Sequence, residues 1–244
     1  NSAREAVALK GTDPAEYKRR LDAKTAMVTT LAAQMGIPLS AWTLNKVAED
    51  ALTLGFSDGE IQAAIGKILD TPATGGNGLT QGQVLGKQLG GQVAETLRTI
   101  RTMYDDYGVP IDDNTLNGFA GQIAAGRLNI ETIKSSLIDK YATQMYPAWA
   151  DELKNGQTMR DIATPYMQLM AQTLEVNPAS VDLKDPTMKM ALQAVDKDGK
   201  PSTKPMWQFE QELKNDPRWT KTKNAEASLM GAGQQVLKDW GLSS

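Results

Sequence analysis

The sequence predicts an all-α protein, and three observations carry that reading. Helix-start signals recur along the whole of the 244 residues, the apolar residues between them fall at helical spacing, and strand signals are scarce. The arrangement expected is two repeated three-helix units followed by a distinct helical C-terminal module, with one short hairpin.

Taken in order, Asp13-Pro14-Ala15-Glu16 opens the first long helix. It supplies a capping oxygen, a proline at the first helical position and an acidic residue that suits the positive end of the helix dipole. Tyr17, Leu21, Val28, Leu31 and Met35 then mark one face, with a step missed at Lys24 and Thr25. Ser40 is a candidate cap for the second helix, and Ser57-Asp58-Gly59-Glu60 has the spacing of a capping box for the third. Asn129 is a further candidate cap. A later helix carries Tyr166, Leu169, Met170 and Leu174, with Thr164-Pro165 as its expected start. Asp185-Pro186-Thr187-Met188 and Asp216-Pro217-Arg218-Trp219 repeat the Asp-Pro start. Residues 195–206 offer the one β candidate, a turn around Asp198-Gly199.

Several of these signals recur at a spacing of 72 residues. Gly36-Ile37-Pro38 aligns on Gly108-Val109-Pro110, Thr43-Leu44-Asn45 on Thr115-Leu116-Asn117, Ala48 on Ala120 and Ile61 on Ile133. Each copy reads as a long helix stopped by glycine and proline, a second helix, a cap, and a third amphipathic helix. The domains expected are therefore residues 1–72, then 73–144 with Pro72-Ala73-Thr74-Gly75-Gly76-Asn77-Gly78 as the linker, and 145–244.

Composition removes many functions. The chain has neither histidine nor cysteine, so imidazole bases, thiol nucleophiles, disulfides, iron-sulfur clusters and the usual zinc sites are excluded. A net charge of -3 argues against nucleic acid as the main partner, which requires a concentrated basic face. Lys18-Arg19-Arg20 and the run from Arg218 to Lys223 are diluted by acidic neighbours and read as solvated helix faces. No stretch approaches the roughly 20 apolar residues of a membrane span. A chain that opens on Asn1 is expected to be processed or the ordered part of a longer one.

The remaining candidates read as structural. Gly75-Gly76-Asn77-Gly78 lacks the lysine and preceding strand of a phosphate loop. Asp196-Lys197-Asp198-Gly199 misplaces the glycine and lacks the closing glutamate of a calcium loop. Asp105-Asp106 and Asp112-Asp113 bracket the Gly108-Val109-Pro110 corner and suit helix-end electrostatics, with Asp112 in the capping position that Ser40 holds in the other copy. None of the glutamates has the neighbourhood of a glycosidase acid. No catalytic, cofactor or metal residue is assigned, and no small-molecule substrate is expected. Gly82, Gly86 and Gly90 recur on one face of the next predicted helix and point to a close helix-helix approach, within the chain or between subunits. The five tryptophans, Trp42, Trp149, Trp207, Trp219 and Trp240, are expected core or interface anchors, and the last four are the interaction candidates.

The C-terminal module also carries recognisable text: Met145-Tyr146-Pro147-Ala148-Trp149-Ala150, then Gly156-Gln157-Thr158-Met159-Arg160-Asp161-Ile162-Ala163, where Gly-Gln-Thr reads as a helix start. Met206-Trp207-Gln208-Phe209-Glu210, Asp216-Pro217-Arg218-Trp219 and Gln235-Val236-Leu237-Lys238-Asp239-Trp240-Gly241-Leu242 follow. This ordered set resembles the C-terminal part of large virion structural proteins of tailed bacteriophages infecting actinobacteria, of the tape-measure, minor-tail or ejected internal type. Gly55-Phe56-Ser57-Asp58-Gly59-Glu60-Ile61 resembles their upstream part. The resemblance implies a non-enzymatic component of the tail or inner capsid, made in the host cytoplasm, homo-oligomeric and bound to other virion proteins. It transfers no catalytic residue. A phage cell-wall hydrolase or its binding module is the alternative.

Overall fold

The protein is described by a computed structural model covering residues 2–73 and 78–240. Thr74, Gly75, Gly76 and Asn77 of the expected linker lie outside the described residues, as do Gly241 and Leu242 of the last motif. The fold is all-α, with one two-stranded sheet among the described residues. The chain divides into two units. One comprises Asn1–Thr102 with Ile111–Glu131, the other Met103–Pro110 with Thr132–Ser244.

The first unit opens with α1 (Ser2–Thr12), α2 (Pro14–Met35), α3 (Ala41–Leu54) and α4 (Asp58–Asp70). The start signals act as read: Asp13 accepts from the Glu16 N–H, Ser40 from the Thr43 N–H, and Ser57 with Glu60 closes a capping box. Gly36 stops α2 in the left-handed conformation at φ 74°, which costs glycine no Cβ clash. Tyr17, Val28, Ala32 and Met35 are the buried face of α2. Val47, Ala48 and Ala51 of α3, with Ile61, Ile65 and Leu69 of α4, are also buried. These three helices pack on one another, and α1 lies against α2 and α3.

The chain continues through α5 (Gln81–Leu85), α6 (Gly91–Asp106), α7 (Asp113–Asn117) and α8 (Ala120–Ala124). The continuous helix expected across Gly82, Gly86 and Gly90 is not formed. α5 ends after five residues, and a 3-10 turn over Gly86–Gln88 follows. Gly86 takes φ 37° and ψ -104°, outside helical geometry, and it is the residue type that tolerates this. The second helix of the second copy is also broken, into α7 and α8 around Gly118 and Phe119, where the first copy has the unbroken α3. The punctuation nonetheless repeats: Gly108 is left-handed at φ 66°, and Asp112 caps α7 from the Thr115 N–H as Ser40 caps α3.

The two units do not follow the expected boundaries at 72 and 144. α4 of the first copy packs on α8 of the second within one unit, while Leu137 and Ile138, at the end of the second copy, belong to the core of the other unit. Burial of apolar faces, not the 72-residue period, decides the division.

The second unit contains α9 (Ile130–Leu137) from Thr132 onward, then α10 (Thr143–Met145), α11 (Ala150–Lys154), α12 (Met159–Leu174), α13 (Pro186–Leu192), α14 (Met206–Lys214) and α15 (Lys223–Asp239). β1 (Ala194–Val195) and β2 (Pro201–Ser202) pair antiparallel in the register Ala194↔Ser202, with Gly199 left-handed in the turn. The expected start of α12 at Thr164-Pro165 is corrected: Thr158 and Asp161 form the capping box, and Pro165 lies inside the helix. The third Asp-Pro start, at Asp216-Pro217, leads only into a 3-10 turn over Trp219–Lys221. The core gathers Tyr107, Tyr146, Leu153, Met159, Tyr166 and Met170 with Leu183, Met188, Leu192, Phe209 and Leu213. Tyr166 and Phe209 meet as tilted rings 5.5 Å apart.

Candidate functional site

Carboxylates are the only strongly acidic groups available for proton chemistry in a chain without imidazole or thiol, and several of them are engaged in caps, turns and ion pairs. Hydrogen bonds from Arg19 and Arg20 hold the Glu16 carboxyl down at about 2. Glu49 is lowered by Lys10, and Glu60 by the Ser57 backbone N–H. A glycosidase acid requires the opposite direction, an apolar cleft that raises a glutamate. Asp105 pairs with Lys184, Asp106 with Arg160 at 2.8 Å, and Asp113 with Arg101. Asp196 accepts the N–H groups of Asp198 and Lys200 at 2.8 and 2.9 Å, which makes it the organiser of the hairpin turn. Among the described residues no group of three or more carboxylates converges on a metal position, and no helix is long and apolar enough to cross a membrane.

The glycines expected at a close seam all lie in the first unit, in separate settings. A Cβ on Gly82 would stand 3.2 Å from the Ala120 Cβ and 3.4 Å from the Leu69 carbonyl, so Gly82 does sit in a tight approach of α5 to α8 and α4. Gly90 donates to the Gly36 carbonyl at 2.7 Å, and a Cβ on Gly36 would fall 1.9 Å from the Gly90 carbonyl carbon. Gly86 meets only the Asn117 side chain, at 3.1 Å. A tighter approach than that at Gly82 lies elsewhere. On α4 and α8, a Cβ on Gly66 would lie 2.5 Å from the Gly121 carbonyl oxygen, and one on Gly121 would lie 2.7 Å from that of Gly66. The sequence signal for it is a glycine inside the apolar face Ile61, Ile65, Leu69.

The tryptophans separate into two classes. Trp149 and Trp219 pack against the core of the second unit, and the Trp149 indole N–H is buried with no hydrogen-bond partner among the described residues. Trp207 and Trp240 face solvent, 64% and 74% exposed. Trp42 joins them at 73% exposed. It stands at the edge of a cavity of about 810 Å³ in the first unit, lined by Val47, Phe56, Ile68, Leu69 and Leu85 with Lys46, Asp50 and Lys67 among its polar residues. Trp42 is expected as an anchor with the other tryptophans but is not among the interaction candidates of the sequence. Its signal is a tryptophan that falls off the buried Val47, Ala48, Ala51 face of its own helix.

The most exposed apolar element is α15. Its start is well held: Thr222 caps it from the Ala225 N–H, and Ala225 is buried. From Glu226 to Trp240 every residue is exposed, including Leu229, Met230, Val236, Leu237 and Trp240. At 100° per residue these five fall on one face of the helix. Surface apolar residues scattered singly are ordinary, whereas these five form a continuous exposed apolar stripe. No protein-family model, no curated protein and no solved structure matches the chain.

Proposed function

We infer that the chain is a non-enzymatic structural component of a tailed-phage virion, a tail or inner-capsid protein acting through helix-mediated contacts with other virion proteins. The observation that carries the reading is the uncovered apolar stripe of α15, which lies in the part of the sequence that resembles virion structural proteins. A helix held at its first turn and otherwise bare is suited to joining a neighbour, because the apolar area it removes from water stabilises an assembly more than the isolated chain. The carboxylate chemistry supports the same reading, since the acids described above serve caps and ion pairs. On this reading residues 145–244 are the anchoring module, with Trp149 and Trp219 as its core and Trp207 and Trp240 as its outer contacts. Deleting residues 216–244 from the phage-borne gene tests it. Particles should then lack the chain, while undiminished incorporation contradicts the assignment of the anchor.

A further inference from the structure

Along α15, Leu229, Gly233, Val236 and Trp240 follow one another at intervals of four, three and four residues, the spacing of a two-stranded seam. Met230 and Leu237 lie one heptad apart on its flank. The helix interior also contains Gly231 and Gly233, and a Cβ added at either would meet nothing within 4 Å. Interior glycines lower intrinsic helix stability, and an exposed helix of this length carrying two of them is marginal without a partner.

We propose that this partner is α15 of a second copy, running antiparallel about a two-fold axis between Gln234 and Gln235. The proposal deepens the reading of α15 as a contact helix and rests on it, but needs nothing from the virion assignment. The stripe is complementary to itself in this register. Leu229 meets Trp240 of the second copy, Gly233 meets Val236 and Met230 meets Leu237, so all six positions are matched and every match occurs twice. On the other flank Asp239 lies against Ala232, not against a like charge. A parallel pair would instead stack Trp240 on Trp240 and Gly233 on Gly233, an overfilled layer and a hollow one, which close packing disfavours. Gly233 lets the two backbones approach where the Val236 side chains interleave. Covering the exposed parts of the stripe removes on the order of 500 Å² from water in each copy, about 1,000 Å² for the pair, which reaches the lower edge of specific interfaces. A self-complementary patch of this kind closes as a dimer.

The test uses the full chain in sedimentation equilibrium at concentrations from about 1 to 100 µM, a range that brackets a small specific interface. A monomer-dimer equilibrium is expected, with Val236→Glu raising the dissociation constant by about 100-fold because it buries a charge in the seam. Both bodies of the variant should keep their unfolding temperature, since Val236 is exposed. Orientation is read separately, in a background that has no native cysteine. Gly233→Cys chains mixed with Val236→Cys chains and treated with a short bis-maleimide should give mainly the mixed dimer. A monomer throughout the range overturns the proposal. A dimer indifferent to Val236→Glu, or Gly233→Cys chains that cross-link chiefly to themselves, overturns it as well. Incorporation into particles is a separate readout: a monomer that still enters virions through residues 216–244 removes the dimer and leaves the anchor, whereas a dimer that never enters virions does the reverse.

Discussion

The Glu175 carboxylate accepts the backbone N–H of Lys223 at 2.9 Å through one oxygen and that of Asn224 at 2.8 Å through the other. Glu175 therefore caps α15 from outside its own segment, and it does so from a left-handed backbone at φ 50° that ends α12. Such a conformation is uncommon for a residue with a side chain and persists where its surroundings hold it. One residue thus ends α12 and starts the exposed helix. Glu175→Ala should remove two charge-assisted bonds to otherwise unpaired amides and weaken the start of α15 by about 1–2 kcal/mol. Hydrogen exchange at Lys223 and Asn224 should accelerate by about tenfold, with protection in α4 unchanged.

The crossing of Gly66 with Gly121 tolerates no added carbon, because the atoms a Cβ would strike include backbone carbonyls. Gly66→Ala is expected to push α4 from α8 and cost about 2–3 kcal/mol despite the better helix propensity of alanine. Gly59 is the control, since it also lies in α4 but meets nothing within 4 Å. Gly59→Ala should stabilise by up to about 1 kcal/mol. Urea unfolding of the two variants checks both signs.

Acid stability follows from the pairing of Arg218 with Asp216 at 2.6 Å and with Asp185 at 2.6 Å. Hydrogen bonds from Arg218, resisted by burial, hold the Asp216 carboxyl at about 2 against its ordinary 3.8. For Asp185, burial raises the carboxyl but the bonds from Arg218 and the Thr187 N–H outweigh it, so the net direction is again down. A lowered acid contributes stability that is fully present above the unfolded value and is lost as pH falls through the folded one. Arg218 is half-exposed, so solvent screening reduces the Asp216 contribution to about 1–2 kcal/mol. Thermal unfolding should show wild type more stable than Asp216→Asn at pH 6, with the gap closing between about pH 4 and pH 2.

The carboxylate assignments make a negative prediction about activity. The purified chain should leave no clearing in a gel loaded with host peptidoglycan. Clearing that a single glutamate substitution abolishes would establish the hydrolase alternative.

Local punctuation was the legible part of the sequence. Asp13, Ser40, Ser57, Asp112 and Thr158 cap helices because their oxygens accept from the amide three residues on, an interaction contained within the motif. The hairpin at Gly199 and the stop at Gly36 are legible for the same reason. The division into units was not, because it depends on which apolar faces meet across large sequence separations. Gly82, Gly86 and Gly90 share a spacing but not a helix, since Gly86 breaks it. Gly66 and Gly121 carry the real crossing without any shared spacing. Proline misled at Pro165: its missing N–H suggested a start, but the Thr158 box had already nucleated α12. Exposure was legible only in part, because Trp149 and Trp240 are equally apolar and only the tertiary packing covers one and leaves the other bare.

The proposed virion role is checked by quantitative mass spectrometry of gradient-purified particles of a phage whose genome carries this sequence. The chain should copurify with particles through successive gradients at a fixed ratio of several copies to each. Its absence from infectious particles, with abundant chain left in the lysate, would rule out a virion role.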